Sequence, residues 1–361
     1  MGTKAVLSLD RRRFITLLGA SLLASTRGQA APSPAYVTTA KTKEGRFEVF
    51  LLDQQGKIRT SIPLPARGHG ACLNPKRQQA VLFARRPDRF ALVLDIQGIK
   101  QPFLFSPPDD RHFFGHGTFS KNGKLLFATE NDFAGERGVI GIYDTENAFK
   151  RLGELSSGGI GPHEILLSQD GQTLIVANGG IITHPDYPRQ KLNLPDMTPN
   201  IAVISLRSGN VERQISLPSD LHQVSLRHMA LDMTGNLWVG GQYEGAITDS
   251  VPLLFSLQKN VNKLNTLPVA PEAASLFRQY IGSVATNRSG NLIAFSAPRG
   301  DCVLIWNRLT NKMEKLIHEK DACGIAADGE GFLISSGLGV LKSGTGSRHS
   351  NIRWDNHILA L

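Results

Sequence analysis

Four histidines occupy nearly the same position of a repeated sequence pattern. The pattern is a short apolar run, a tight polar turn of the form Asn/Asp/Ser-x-x-Gly, and a second apolar run rich in β-formers. Its turn anchors are Asn74 (where Arg77 replaces the glycine), Ser120, Ser168, Asp232, Asn287 and Asp328. His69, His116, His163 and His228 precede the first four anchors by five, four, five and four residues, while Gly282/Ser283 and Cys323/Gly324 fill the matching slots of the last two units. Neutral imidazole is the commonest protein ligand for zinc, copper and iron. Four of them gathered at one point would make a metal site, to which Glu164, directly after His163, could add a carboxylate. His357, preceded by Asp355 and Asn356, is a further candidate ligand. Two other readings stay open: acid–base catalysis by the same imidazoles, and histidines that only hydrogen-bond the backbone of a neighbouring strand. Arg67 and Arg227 lie just before two of the histidines; their charge opposes a bare cation and suits an anionic substrate or carboxylate.

The anchors are 46, 48, 64, 55 and 41 residues apart. Four-stranded propeller blades repeat at about this interval, and the amphipathic helices of helical solenoids are absent. The expected architecture is all-β: a single propeller of seven four-stranded blades, six internal units plus one composite blade. Strands near residues 36–40, 47–53 and 57–63 lack an innermost partner, which the tail at 354–361 would supply, closing the ring. Six or eight blades stay open, because the sixth unit loses its strand pattern over residues 337–347. In a propeller the first strand of each blade is innermost, so the histidines should line the channel mouth. Side chains alternate faces along a strand, and the one-residue slip among the offsets is tolerable only if the histidines sit in the entering loops. Gly68, Gly70, Gly115, Gly117, Gly161 and Pro162 suggest that they do. Residues 183–200 interrupt the third unit with four prolines and carry His184, Asp186, Tyr187 and Met197, as a loop lying over one face. Residues 243–252 form a second insertion.

At the amino terminus, Arg11-Arg12-Arg13-Phe14-Ile15 precedes an apolar stretch too short to span a bilayer, for which about 20 residues are needed. Small residues follow at Gly28-Gln29-Ala30. Residues 1–30 therefore look like a twin-arginine signal, with 31–361 as the propeller domain. That pathway exports folded proteins, which places the mature chain in the periplasm. The formal net charge is +9. Nearly half of it belongs to the signal and the rest forms no block, which disfavours a nucleic-acid footprint. Three cysteines, Cys72, Cys302 and Cys323, have no metal or redox spacing and read as small buried side chains. Trp238, Trp306 and Trp354 read as blade packing. HExxH, CxxCH, GxSxG and Walker patterns are all absent.

The RRRFI start, the repeated RGHG, FGHG and GPHE segments, the LNLPDMTPN loop and the terminal WDNH together resemble the DUF1513 family of exported propeller-like proteins. The resemblance covers essentially the whole mature chain. It implies a periplasmic setting and, through gene neighbourhoods shared with imelysin-like and di-haem oxidoreductase-like proteins, a link to iron acquisition with such proteins as partners. The family has no established catalytic residues to carry over. The expectation is a propeller that binds iron or copper, or a metal- or haem-bearing partner, at His69, His116, His163, His228, Glu164 and His357. A hydrolase or oxidoreductase using the same histidines, and a metal-free interaction platform, are the rivals.

Overall fold

The repeated turn is built by its anchor side chain. Asp232 Oδ1 accepts the N–H groups of Thr234 and Asn236 at 2.9 and 3.0 Å, and Asn287 Oδ1 accepts that of Leu292 at 3.0 Å. Such local bonds favour a turn over a continued strand. The closing glycine is needed because the chain there is left-handed, with φ of 71° at Gly123 and 81° at Gly235. Each turn therefore ends one apolar strand and starts its antiparallel partner.

The computed structural model describes residues 33–361 other than Arg77, Pro188 and Arg189; the expected export signal lies outside the described residues. Repetition of the motif yields seven four-stranded antiparallel sheets. Blade 1 is composite, with the tail strand Arg353–Ala360 innermost against Tyr36–Lys41. Blades 2 to 7 follow in chain order, each beginning at its innermost strand. These innermost strands touch one another in cyclic order, so the ring closes around one axis. Tyr36 pairs with Ala360 and Thr38 with Ile358, and the Leu361 N–H donates to Ala35 at 2.8 Å. The expected seven blades and their closure are both present.

The core is divided among the gaps between blades. Phe83, Phe113 and Tyr143 fill one gap, Ile140, Val176 and Ile204 the next, and Phe50, Leu333 and Trp354 the seam of closure. Each fully buried side chain of this size contributes roughly 1.5–3 kcal/mol. Trp238, Trp306 and Trp354 are buried in this packing, and all three cysteines are free and buried.

One expectation needs correcting. Residues 337–347 are not patternless, because Val340–Ser343 and Gly346–His349 are the outer strands of blade 7. The outermost of them is exposed along its whole length, so it needs no apolar alternation, and its pairing rests on backbone bonds. Within 183–200, residues Leu194–Asp196 form one 3₁₀ turn. Asn193 ties the loop down through the Ile182 N–H at 2.7 Å and the Gly180 carbonyl at 2.8 Å, and Met197 is buried. A Lys191–Glu244 ion pair joins this loop to the second insertion.

Candidate functional site

All five histidines belong to innermost strands, not to the loops before them. His69 lies in Gly68–Leu73, His116 in Arg111–Phe119, His163 in Pro162–Leu167, His228 in Val224–Leu231 and His357 in Arg353–Ala360. The loop placement expected from the one-residue slip is thus wrong, and the reason is visible in the pairing. Register with the second strand shifts between Gly68 and Ala71, Phe113 and Gly117, Pro162 and Glu164, and Leu226 and His228. In blade 1 the pair Thr38 and Ile358 gives way to Ala40 and Trp354, leaving Asp355 to His357 in the irregular stretch. A β-bulge adds a residue and re-aims side chains, so it absorbs the slip within the strand. Blade 6 has no such shift and presents Ser283, while blade 7 has a bulge but puts Cys323 and Gly324 there.

The flanking glycines make room for the rings. A Cβ on Gly115, where φ is 104°, would stand 2.3 Å from His69 Cδ2, and one on Gly70 would stand 2.8 Å from His116 Nδ1. The five imidazoles form one packed group across the axis. Ring centroids are 4.9 Å apart for His69 and His116, 5.2 Å for His116 and His163, and 4.7 Å for His163 and His228. His357 lies 4.6 Å from His69, 4.8 Å from His116 and 4.8 Å from His228, closing the group from the far side. Two triads, His69/His116/His163 and His116/His228/His357, offer ligand nitrogens within 4.8 Å of one another. Metal–imidazole bonds are about 2.0–2.1 Å, so the rings would move inward by on the order of an ångström to close on an ion.

Each ring also has one buried nitrogen without a hydrogen-bond partner among the described residues: His69 Nδ1, His116 Nε2, His163 Nε2, His228 Nδ1 and His357 Nε2. Native interiors rarely leave such atoms unpaired, at a cost of about 1–3 kcal/mol each. Glu164 reaches from blade 4 toward two of the rings. Its oxygens are 3.6 Å from His116 Nδ1 and 3.4 Å from His228 Nδ1, and Oε2 accepts the Met229 N–H at 2.7 Å. Burial drives the His116 and His228 pKa values down to about 3, with neighbouring positive groups adding to the effect, although Glu164 pulls His116 the other way. His69, His163 and His357 are also held well below the usual range, again mainly by burial. Burial raises Glu164. At neutral pH all five rings are therefore neutral, the form that binds metal.

The histidines border two cavities. One, about 370 Å³, is lined by His69, His116, His228, His357 and Glu164 together with apolar residues such as Leu73, Ile165 and Leu359. The other, about 690 Å³, lies at the mouth and touches His69, His163 and His228 beneath Arg67, Arg85, Arg86, Arg227 and Arg299. Arg67 is clamped by Asp355 at 2.7 and 2.6 Å, and Arg227 donates to Gln242 Oε1 at 2.5 Å. Sequence reasoning found Arg67 and Arg227 but missed Arg85 and Arg86. The signal was present: Ala84 pairs with Gly68, so whatever follows Ala84 emerges at the same mouth as His69. Of the other polar residues at second-strand ends, Asn131 and Asn178 bond the Thr183 and Ser157 carbonyls at 2.9 Å each.

The fold is similar to that of hydrazine synthase from Kuenenia stuttgartiensis, with a TM-score of 0.62 and 14% identity over 87% of this chain and 96% of that one. It is also similar to the Cps50 (Swd1) β-propeller domain from Myceliophteria thermophila, with a TM-score of 0.57 and 11% identity over 88% of this chain and 96% of that one. At such identities the likeness concerns the fold alone. Among curated proteins none matches this chain in sequence. Residues 62–361 match the family described as Protein of unknown function (DUF1513). That span takes in all five histidines, their glycine-flanked bulges and the tail that closes the ring, and the chain is a member of the DUF1513 family.

Proposed function

We propose that this propeller is a periplasmic metal-binding protein that holds an iron or copper ion among its axial imidazoles and serves iron acquisition. One observation carries the reading: five neutral imidazoles from five blades converge on the axis, each with a buried ring nitrogen that has no partner among the described residues. Imidazole donors suit copper, iron, nickel and zinc. His116, shared by both triads, would be the central ligand, with Glu164 as an adjacent carboxylate. The arginine pair at positions 11 and 12 supports export of the folded, already loaded protein. The family resemblance supports the role in iron acquisition and the imelysin-like and di-haem partners. Acid–base catalysis is the weaker reading, because imidazoles with pKa values near 3 are poor bases at neutral pH.

The test is elemental analysis of protein purified after export. About one metal ion per chain is expected in the wild type, and near none in the His116→Ala/His163→Ala double variant. A substoichiometric metal content that the double substitution leaves unchanged would overturn the reading.

A further inference from the structure

The arginine-rich mouth has no role in holding a cation, and its charges are not used up within the protein. Among the described residues, Arg85, Arg86, Arg227 and Arg299 have no carboxylate partner. Arg227 has a neutral amide, Arg86 lies over the Phe114 ring at 5.3 Å, and Arg299 over the Tyr280 ring at 4.8 Å. Arg67 alone is neutralised, by the bidentate contact to Asp355. The wall of the cavity contains two acids, Asp88 and Asp321, and among the described residues neither makes an ion pair with an arginine. Guanidinium groups are planar forks that grip carboxylate or phosphate oxygens two at a time. Several of them around one cavity repel each other, and both Arg85 and Arg86 have depressed pKa values, from burial first and then from neighbouring arginines.

The cavity's volume of about 690 Å³ is in the range of small-molecule sites, roughly 300–1,000 Å³. The mouth also continues sideways. A second hollow of about 210 Å³ shares Arg86, Phe114, His163 and Arg227 with it and reaches Thr183 and Lys191 of the proline-rich insertion. Anionic groups at the mouth would therefore have the neutral imidazoles below them and the insertion beside them.

From this arrangement we infer that the mouth is a binding site for a small polyvalent oxyanion, a polycarboxylate or a phosphate ester, gripped by Arg85, Arg86 and Arg227 with its inner end against the histidines. The site stands independently of the metal reading, since its recognition groups are the arginines and it binds to metal-free protein. Electrostatic focusing into a cleft lined by one sign of charge also speeds capture of such a ligand.

The experiment is calorimetric titration of chelator-stripped protein with inorganic pyrophosphate in one arm and tricarballylate, a weakly chelating tricarboxylate, in the other, at constant ionic strength. Saturable one-to-one binding of at least one probe is expected, and the arm that binds more tightly identifies the ligand chemistry. Arg85→Gln/Arg86→Gln should weaken it by about tenfold or more, while His349→Ala, on the outermost strand of blade 7 and away from the mouth, leaves it in place. A second measurement avoids dependence on the variants folding. Phenylglyoxal labelling of wild-type protein, read by mass spectrometry, should show Arg85 and Arg86 protected by the bound probe and exposed Arg353 unprotected. The proposal falls if neither probe binds saturably at millimolar concentration, if the arginine variant binds as tightly as wild type, or if labelling of Arg85 and Arg86 is the same with and without probe. Metal content is measured separately, so a failed anion site and a failed metal site are told apart.

Discussion

Blade 3 and the axial mouth both gather buried or half-buried charge, but they treat it in opposite ways. In blade 3, Arg151 pairs with Glu130 at 2.9 Å and Glu154 at 2.7 Å, Arg137 with Asp132 at 2.7 Å and Glu154 at 2.8 Å, and Arg111 with Asp132 at 3.2 Å and Glu154 at 3.1 Å. Even Glu130, fully buried, has the Tyr143 hydroxyl and Arg151 as donors. This is a closed network whose members satisfy one another. At the mouth, by contrast, guanidiniums face a cavity and imidazole nitrogens lack hydrogen-bond partners among the described residues. Closed charge fixes a structure, whereas open charge is available to a ligand, and the cost of leaving it open falls on the stability of the fold.

The sharpest way to break this contrast is to cut each region in turn. Glu130→Ala leaves the buried Tyr143 hydroxyl without its acceptor and Arg151 with Glu154 alone, and should cost about 3–5 kcal/mol in denaturant unfolding. Arg85→Gln/Arg86→Gln removes unpaired, mutually repelling charges and should cost nothing or stabilise slightly; an equal loss in both variants would erase the distinction. The next effect in size concerns the imidazoles. If a metal is present at a hundred times its dissociation constant, chelation should lower unfolding free energy by about 2.7 kcal/mol. The His116→Ala/His163→Ala variant should show no response to chelator in the same melt.

A smaller effect is the pH dependence of the stripped protein. Unfolded imidazoles take up protons near pH 6.5, but His116 and His228 in the fold do so only at about 3. Between those values the unfolded state binds more protons, so stability falls as pH drops through the window. Glu164, with its raised pKa, works in the opposite direction by taking up a proton earlier in the fold. Melting temperature should decline below pH 6.5, and more shallowly in His228→Gln; a flat profile would show that the rings are not held neutral by burial. Smallest of all, His349→Ala, at an exposed site on the outermost strand of blade 7, should change stability by no more than about 0.5 kcal/mol.

Much of the fold was legible because its signals are local. An anchor such as Asp232 bonds N–H groups two and four residues ahead, so its effect can be read within one turn, and six such turns imply blades whatever surrounds them. Blade 7's outermost strand was not legible, since a wet strand held by backbone bonds leaves no side-chain period. The position of the five histidines in the repeat was legible too. Their placement inside strands was not, because a bulge such as the one between Pro162 and Glu164 depends on the pairing partner and not on the strand's own residues.

Residue types and spacing by themselves determined that this chain is a closed wheel of small sheets with imidazoles in matching places, because turn chemistry and strand alternation act over a few residues. Only the tertiary structure decided that these rings meet across the axis, that Glu164 stands between two of them, and that Arg85 and Arg86, just past the end of a second strand, share the mouth with Arg227, three blades away. Those relations depend on ring closure and on bulges, which are properties of pairing between segments far apart in the chain and cannot be encoded in any one of them.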